Sequence, residues 1–310
     1  MIYTVNGTIT KDEMKATLSH EHFKWENDET YGIQLYFDKK YDDEKIEETL
    51  DKLLPVLQKL YDSGCRTIVE ASPPIGGQDL KLLKKLSSAS KINIIPCTGH
   101  NLTKYVYRIH NENFAEQLAE QWIKDFEFGL DTIDGVTIKP GHLKLLLDRG
   151  KLSDVDREML RAAIMTNKKT GLPIHCHILE SALAEEVMDL LEKEGADFGK
   201  FLWAHTIKDK NDAVIKRALR LGIWLGIDMI KTDAYEYNMN FIKEGIKCGF
   251  ENRILLSQDY DFFEEVTDNG ANHPCAAFFT DFIPYCINSG ISSDVLERII
   301  SKNPAEFYDF

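Results

Sequence analysis

Thr17-Leu18-Ser19-His20-Glu21-His22-Phe23 is the stretch on which the reading of this chain turns. In a strand, successive side chains point to opposite faces, so His20 and His22 share one face while Ser19 and Glu21 point away. Two imidazoles ~6–7 Å apart along a strand can grip one metal ion. Neutral imidazole is the commonest metal ligand and suits borderline-soft divalent ions such as zinc. The plainer account is a pair of surface histidines on an amphipathic strand, and the rest of the sequence decides between the two.

Outward from that stretch the chain repeats strand, loop and helix. A polar loop runs to about Tyr41, and Ile46, Leu50, Leu53, Leu57 and Leu60 then mark one helical face that stops at Gly64. Pro55 lies inside this helix and is expected to bend it or split off a first segment. Arg66 to Ala71 reads as a second strand, followed by a Pro-Pro-Ile-Gly-Gly loop and a helix near 78–87. Ile92 to Cys97 reads as a third strand ending in Thr98-Gly99-His100, with a helix over roughly 112–130. The run Gly135 to Leu147 contains the fourth strand, with Lys139, His142 and Lys144 embedded in it. Ser153-x-x-Asp156 forms a capping box for a helix reaching Thr170. Strands five to eight follow at Leu172–Ile178, Phe201–His205, Ile223–Asp228 and Arg253–Asp259. Helices separate them at 180–194, up to Leu221 and up to Gly249. Eight apolar strands alternating with helices predict an α/β fold, a parallel (β/α)8 TIM barrel forming one domain over 1–310. A doubly wound open sheet is the alternative, but no G-x-G-x-x-G opens a helix.

Composition narrows the function. With 310 residues, 43% hydrophobic and 28% charged, the chain has the balance of an ordinary globular protein. No run of 18 apolar residues predicts a membrane span, and the N-terminus lacks a secretory signal. The formal charge of −14 argues against nucleic acid or an anionic membrane as partner. Six scattered cysteines without C-x-x-C spacing, several inside apolar runs, predict reduced thiols and a cytoplasmic protein. The expected partners are a small-molecule substrate and, as a homodimer, a second copy of the chain.

Polar, ligand-capable residues recur at the C-terminal ends of the apolar strands: His20, His22, Lys144, His177, His205 and Asp259. That end of a barrel carries the catalytic groups, which places the metal site at its C-terminal face. The same pieces resemble the phosphotriesterase family of the amidohydrolase superfamily, along nearly the whole chain. Thr4-Val5-Asn6-Gly7 and Thr17 to His22 are similar to the family's opening, Gly64 to Glu70 to its second strand and Cys97-Thr98-Gly99 to the end of its third. Pro173 to His177, Ala204-His205 and Ile254 to Asp259 resemble its later strand ends, and Asn303-Pro304-Ala305 its terminal motif.

The resemblance implies a binuclear metal centre. His20, His22 and Asp259 would hold the more buried ion and His177 and His205 the more exposed one. Lys144 would bridge both as an N-carboxylated lysine, with Lys139 the competing candidate. A lysine with its ordinary pKa of about 10.4 cannot bind a cation, but burial frees the amine to take up CO2 as an anionic carbamate. Zinc is the expected metal, with manganese, cobalt or iron as alternatives. The implied chemistry is hydrolysis by a metal-bridged hydroxide, with Asp259 and Lys144 as catalytic residues. His100, Lys231 and Tyr260 are the expected substrate contacts, and His142 is placed near loops over the same face. His175 is expected one layer deeper than His177, as a hydrogen-bonded core or ligand-supporting group. His110 and His273 read as surface or loop histidines.

Two departures bear on substrate. Family members that cleave phosphotriesters carry a histidine after the strand-seven aspartate and a carboxylate that pairs with it as a proton relay. Here Asp228 is followed by Met229, and His205 by Thr206-Ile207-Lys208-Asp209; the arginine that some lactonase relatives carry at Met229 is also missing. A lactone or carboxylic ester is therefore the expected substrate, with a phosphotriester or phosphoester as the alternative. Lys231 is placed to hold a phosphate, but Tyr260 to Asp268 contains no Lys or Arg. A non-catalytic ligand-binding barrel would show broken ligands, whereas all six are present. A mononuclear deaminase of the same superfamily would need a catalytic glutamate and no bridging lysine.

Overall fold

The computed structural model describes residues 1–24, 41–100, 112–147, 149–262 and 273–310. Strands Thr17–Glu21, Thr67–Glu70 and Asn93–Ile95 form one parallel sheet. Strands Cys97–His100, His142–Leu146, Ile174–His177, Phe201–Ala204, Trp224–Ile227 and Ile254–Leu256 follow one another in a second. The expected third strand is thus two strands broken at Pro96. Proline has no N–H to give a ladder, and the break lets each half pair with a different sheet. At the other end, Asp259 N–H donates to the His20 carbonyl (3.1 Å), His22 N–H to that of Tyr260 (2.9 Å) and Phe262 N–H to that of His22 (2.7 Å). The segment after Ile254–Leu256 therefore lies along the first strand, and sequence neighbours are spatial neighbours throughout.

Both faces of these strands are covered, which is why they read as continuous apolar runs. Val69, Ile95, Leu202, Trp224 and Leu255 pack with Ile2, Met14 and Phe307 from the chain ends in one cluster. A larger cluster fills the space between strands and helices. The terminal Asn303–Tyr308 helix is tied in by Asn303, whose side-chain N–H group donates to the carbonyls of Glu251 (2.7 Å) and Ile254 (2.8 Å). Gly99 shows what close strand approach demands. Its φ is +122°, and a Cβ there would lie 2.1 Å from the Lys144 carbonyl oxygen, so only glycine fits beside that strand.

Pro55 neither splits nor ends its helix, which runs unbroken over Asp43–Asp62. An interior proline costs about 3 kcal/mol. Buried Leu53, Val56, Leu57 and Leu60 offset it, since each such side chain contributes about 1.5–3 kcal/mol. The next two helices are Leu80–Ser90 and Phe114–Phe128. The run Gly135 to Leu147 also holds more than one strand. Asp131–Ile133 and Val136–Ile138 form an antiparallel hairpin turning on Asp134 (φ 50°) and Gly135 (φ 75°), the Asp-Gly signature of a tight turn. The core strand His142–Leu146 comes only after it. The Ser153 capping box is present, and its helix spans Asp154–Thr170. Among the described residues no helix is long and apolar enough to cross a membrane. The six cysteines are free, five of them buried.

Candidate metal centre

His20, Lys144, His177, His205 and Asp259 meet at the strand ends, with His22 just past the end of the first strand. Asp259 Oδ1 lies 3.4 Å from His20 Nε2 and 3.3 Å from His22 Nε2. Its other oxygen faces His205 Nε2 at 3.8 Å, and that nitrogen is 2.8 Å from His177 Nδ1. Lys144 Nζ lies 2.7 Å from His20 Nε2. One aspartate thus turns one oxygen to each half of the cluster. His20, His22 and Asp259 present ligand atoms within 4.8 Å of one another, as do His20, His205 and Asp228.

The electrostatics suit a divalent cation. Burial drives the imidazoles toward the neutral ligand form: His20 and His177 are held well below the ordinary histidine range, and His205 falls to about 4. Burial opposes ionisation of Asp259, but the facing rings of His20, His22 and His205 outweigh it and hold its carboxyl well below the usual range. Lys144 is 1% exposed, and burial lowers its pKa, which favours the free amine that a carbamate requires.

The backbone is strained here. His205, Met229 and Asp259 take φ of 63°, 59° and 54°, the left-handed region where a non-glycine residue costs of order 1–3 kcal/mol. Hydrogen bonds from His205 N–H to Asp228 (2.9 Å) and from Asp259 N–H to His20 hold two of them. Glu21 braces the segment around Asp259 further. It accepts from the Ser257 hydroxyl (2.7 Å), Gln258 N–H (2.9 Å) and Tyr260 N–H (2.8 Å), bracketing Asp259, while burial raises its pKa to about 8.

Several supporting residues escaped sequence reasoning. Asp228 Oδ2 lies 3.3 Å from His20 Nδ1 and 3.4 Å from His205 Nδ1, behind one ring of each half. Ser72 Oγ lies 2.8 Å from His22 Nδ1, and Glu70, whose pKa burial raises to about 7, accepts from Ser72 N–H (2.6 Å). The available signal was a carboxylate inside or just after an apolar strand: Glu21, Glu70 and Asp228 all fit that pattern.

The remaining sites fall as follows. His175 is fully buried with its ring 4.5 Å from that of His20. His142 is not near a loop: it is buried in its strand, facing His175 and Tyr308 with ring centres 5.6 Å from each. It precedes Lys144 by two residues, so it shares that face one layer down. His273 is likewise no surface residue but is buried against Tyr260, 4.6 Å between rings. His100 is buried at its strand end, its pKa pushed down to about 4 by burial. Lys231 Nζ sits 4.3 Å over the Tyr260 ring, and Lys208 Nζ lies 3.7 Å from Met229 Sδ. Lys139 instead lies over Phe126 at 5.2 Å, leaving Lys144 as the lysine of the cluster. The polar loop before Tyr41, His110 and the acidic run beyond Phe262 lie outside the described residues.

The parallel α/β architecture with buried histidine and aspartate clusters belongs to a metal-dependent hydrolase. Residues 1–308 match the phosphotriesterase family, and the chain belongs to it. That membership implies the TIM barrel. It is 24% identical to the phosphotriesterase homology protein of Escherichia coli, over 96% of this chain and 99% of the relative. It is also 24% identical to the aryldialkylphosphatase of Saccharolobus solfataricus, over 97% of each. Identity to the N-acetyltaurine hydrolase of Xenopus tropicalis is 23%, over 100% of this chain and 98% of the relative.

Proposed function

We propose that residues 1–310 form one closed (β/α)8 barrel that hydrolyses a small-molecule carboxylic ester, a lactone first, with two divalent ions. The supporting observation is the division of Asp259, one oxygen toward His20 and His22 and the other toward His205 beside His177. His20, His22 and Asp259 would hold one ion and His177 and His205 the other, with Lys144 as a carbamate between them. Bound there, zinc or a similar ion supplies an activated water and a Lewis acid. The chain's own part is proton handling. Asp259 Oδ2, the oxygen not shared by His20 and His22, takes the proton and passes it to the leaving group. The residue after Asp228, Met229, has no titratable group to act as a second carrier. A lactone's leaving alkoxide stays tethered to its acyl group, so delivery by Asp259 alone suffices. The free thiols fit a reducing, cytoplasmic setting.

A second reading is an N-acyl amide carrying an acidic group. Its support is the set of relatives named N-acetyltaurine hydrolase, with Lys231 and Lys208 beside Tyr260 and Met229 as cations for the acid. The test compares kcat/KM of metal-loaded protein on γ- and δ-lactones, an aryl ester, N-acetyltaurine and an aryl phosphotriester. Lactone or ester should lead and a chelator should abolish the activity. A tenfold lead for the phosphotriester overturns the relay argument, a lead for N-acetyltaurine selects the second reading, and silence throughout fits a non-catalytic barrel.

A further inference from the structure

Three of the proposed ligands leave the strand ladder, and each leaves it beside a buried carboxylate. His22 lies just past Thr17–Glu21, whose pairing with Thr67–Glu70 has slipped by then. His205 and Asp259 take φ of 63° and 54° beyond the ends of Phe201–Ala204 and Ile254–Leu256. A backbone N–H that turns off the ladder inside a protein must find another acceptor. For Phe23, directly after His22, that acceptor is Glu70 Oε2 at 2.8 Å. For His205 it is Asp228 Oδ2 at 2.9 Å. For Gln258 and Tyr260, on either side of Asp259, it is Glu21 at 2.9 and 2.8 Å. Each acid stands at the end of the neighbouring strand: Glu70 and Glu21 are the last residues of theirs, and Asp228 follows Trp224–Ile227. Lys144 and His177 lie inside evenly paired strands, and among the described residues no carboxylate takes their N–H groups.

We propose that Glu70, Glu21 and Asp228 are positioning residues that replace missing ladder bonds and hold His22, Asp259 and His205 at the metal centre; this rests on the two-metal reading above. A carboxylate suits the task because its two oxygens can take N–H groups from two segments at once. Glu70 Oε2 takes Phe23 N–H and Oε1 takes Ser72 N–H (2.6 Å), which ties the turn after His22 to the turn after the second strand. Ser72 also sets its hydroxyl oxygen 2.8 Å from His22 Nδ1. Glu21 spans Asp259 in the same manner, one oxygen on Gln258 and the other on Tyr260. Glu70 offers the cleanest case, since Asp228 also lies beside the rings of His20 and His205. On its other side the His22 backbone is bonded to Tyr260 and Phe262. Without the Glu70 carboxylate that side alone holds the segment, and the buried Phe23 N–H loses its acceptor.

The test is Glu70→Gln, whose amide keeps one acceptor oxygen but turns an N–H toward the second donor. Zinc titration of metal-free protein against a competing chelator at pH 8 should show one of two binding steps weakened by about 10–100-fold and the other unchanged. Backbone amide exchange of the metal-free protein, followed by NMR, should be about tenfold faster at Phe23, while Cys176 and His177 keep their wild-type rates. If Glu70→Gln does not fold, Glu70→Asp shortens the arm by one methylene and carries the same expectations. Unchanged zinc affinity, equal weakening of both steps, or faster exchange spread evenly over Phe23 and His177 overturns the proposal. If wild-type protein binds no zinc, the two-metal reading fails, and the exchange pattern alone decides whether Glu70 holds the segment after His22.

Discussion

His20-Glu21-His22 and His175-Cys176-His177 are the same three-residue pattern on two strands, and they end differently. In the first, both rings face Asp259, their centres 5.3 Å apart. In the second, His177 meets His205 while His175 lies below with neither ring nitrogen hydrogen-bonded among the described residues. The strands explain it. Pairing between Thr17–Glu21 and Thr67–Glu70 slips between Leu18 and Glu21, and His22 falls past the strand end. Ile174–His177 keeps even register with both neighbours, so its inward residues stack in layers. Lys144 is paired with His175 yet reaches His20, because its stem is four carbons long and an imidazole is short. Spacing nominates ligands; register and side-chain length select them.

Four substitutions probe that contrast, from the largest effect to the smallest. Asp259→Asn removes the carboxylate that faces both halves of the cluster and, on the proposed function, the proton carrier with it, so kcat/KM should fall by about 10²–10⁴-fold. Asp228→Asn leaves the six proposed ligands in place but removes the carboxylate charge beside His20 and His205. Zinc titration should show both binding steps weakened by about 10–100-fold. Glu21→Gln turns an amide N–H toward one of three donors around Asp259, and urea unfolding should report a loss of about 1–3 kcal/mol. His175→Leu should change metal content not at all. Stability should stay equal or rise by up to about 1–3 kcal/mol, since two unpartnered buried nitrogens are removed. Loss of metal from His175→Leu would erase the distinction between the two patterns.

Much of this was legible from residue order, for physical reasons. Apolar runs ending in His, Lys or Asp named the strands and the cluster, because parallel strands are buried on both faces and barrels present their chemistry at one end. Sequence patterning could not show how tertiary packing settles local conflicts. Pro55 is a breaker on propensity alone, yet the buried face beyond it carries the helix through. Asp134-Gly135 signalled a hairpin that the embedded lysines and histidine drew attention away from. His142 looks like a loop residue until register places it in a strand, and His273, still in a loop, looks exposed until ring packing buries it. Ser72 and Asp228 are invisible as partners because the rings they support lie 50 and 23 residues away or more in sequence.

The central claim is a two-ion centre bridged by Lys144, and elemental analysis tests it most directly. Fully loaded wild-type protein should contain two divalent ions per chain, and Lys144→Ala should lose metal, with activity partly restored by short carboxylic acids in place of the carbamate. One ion per chain, unchanged by Lys144→Ala, would contradict it.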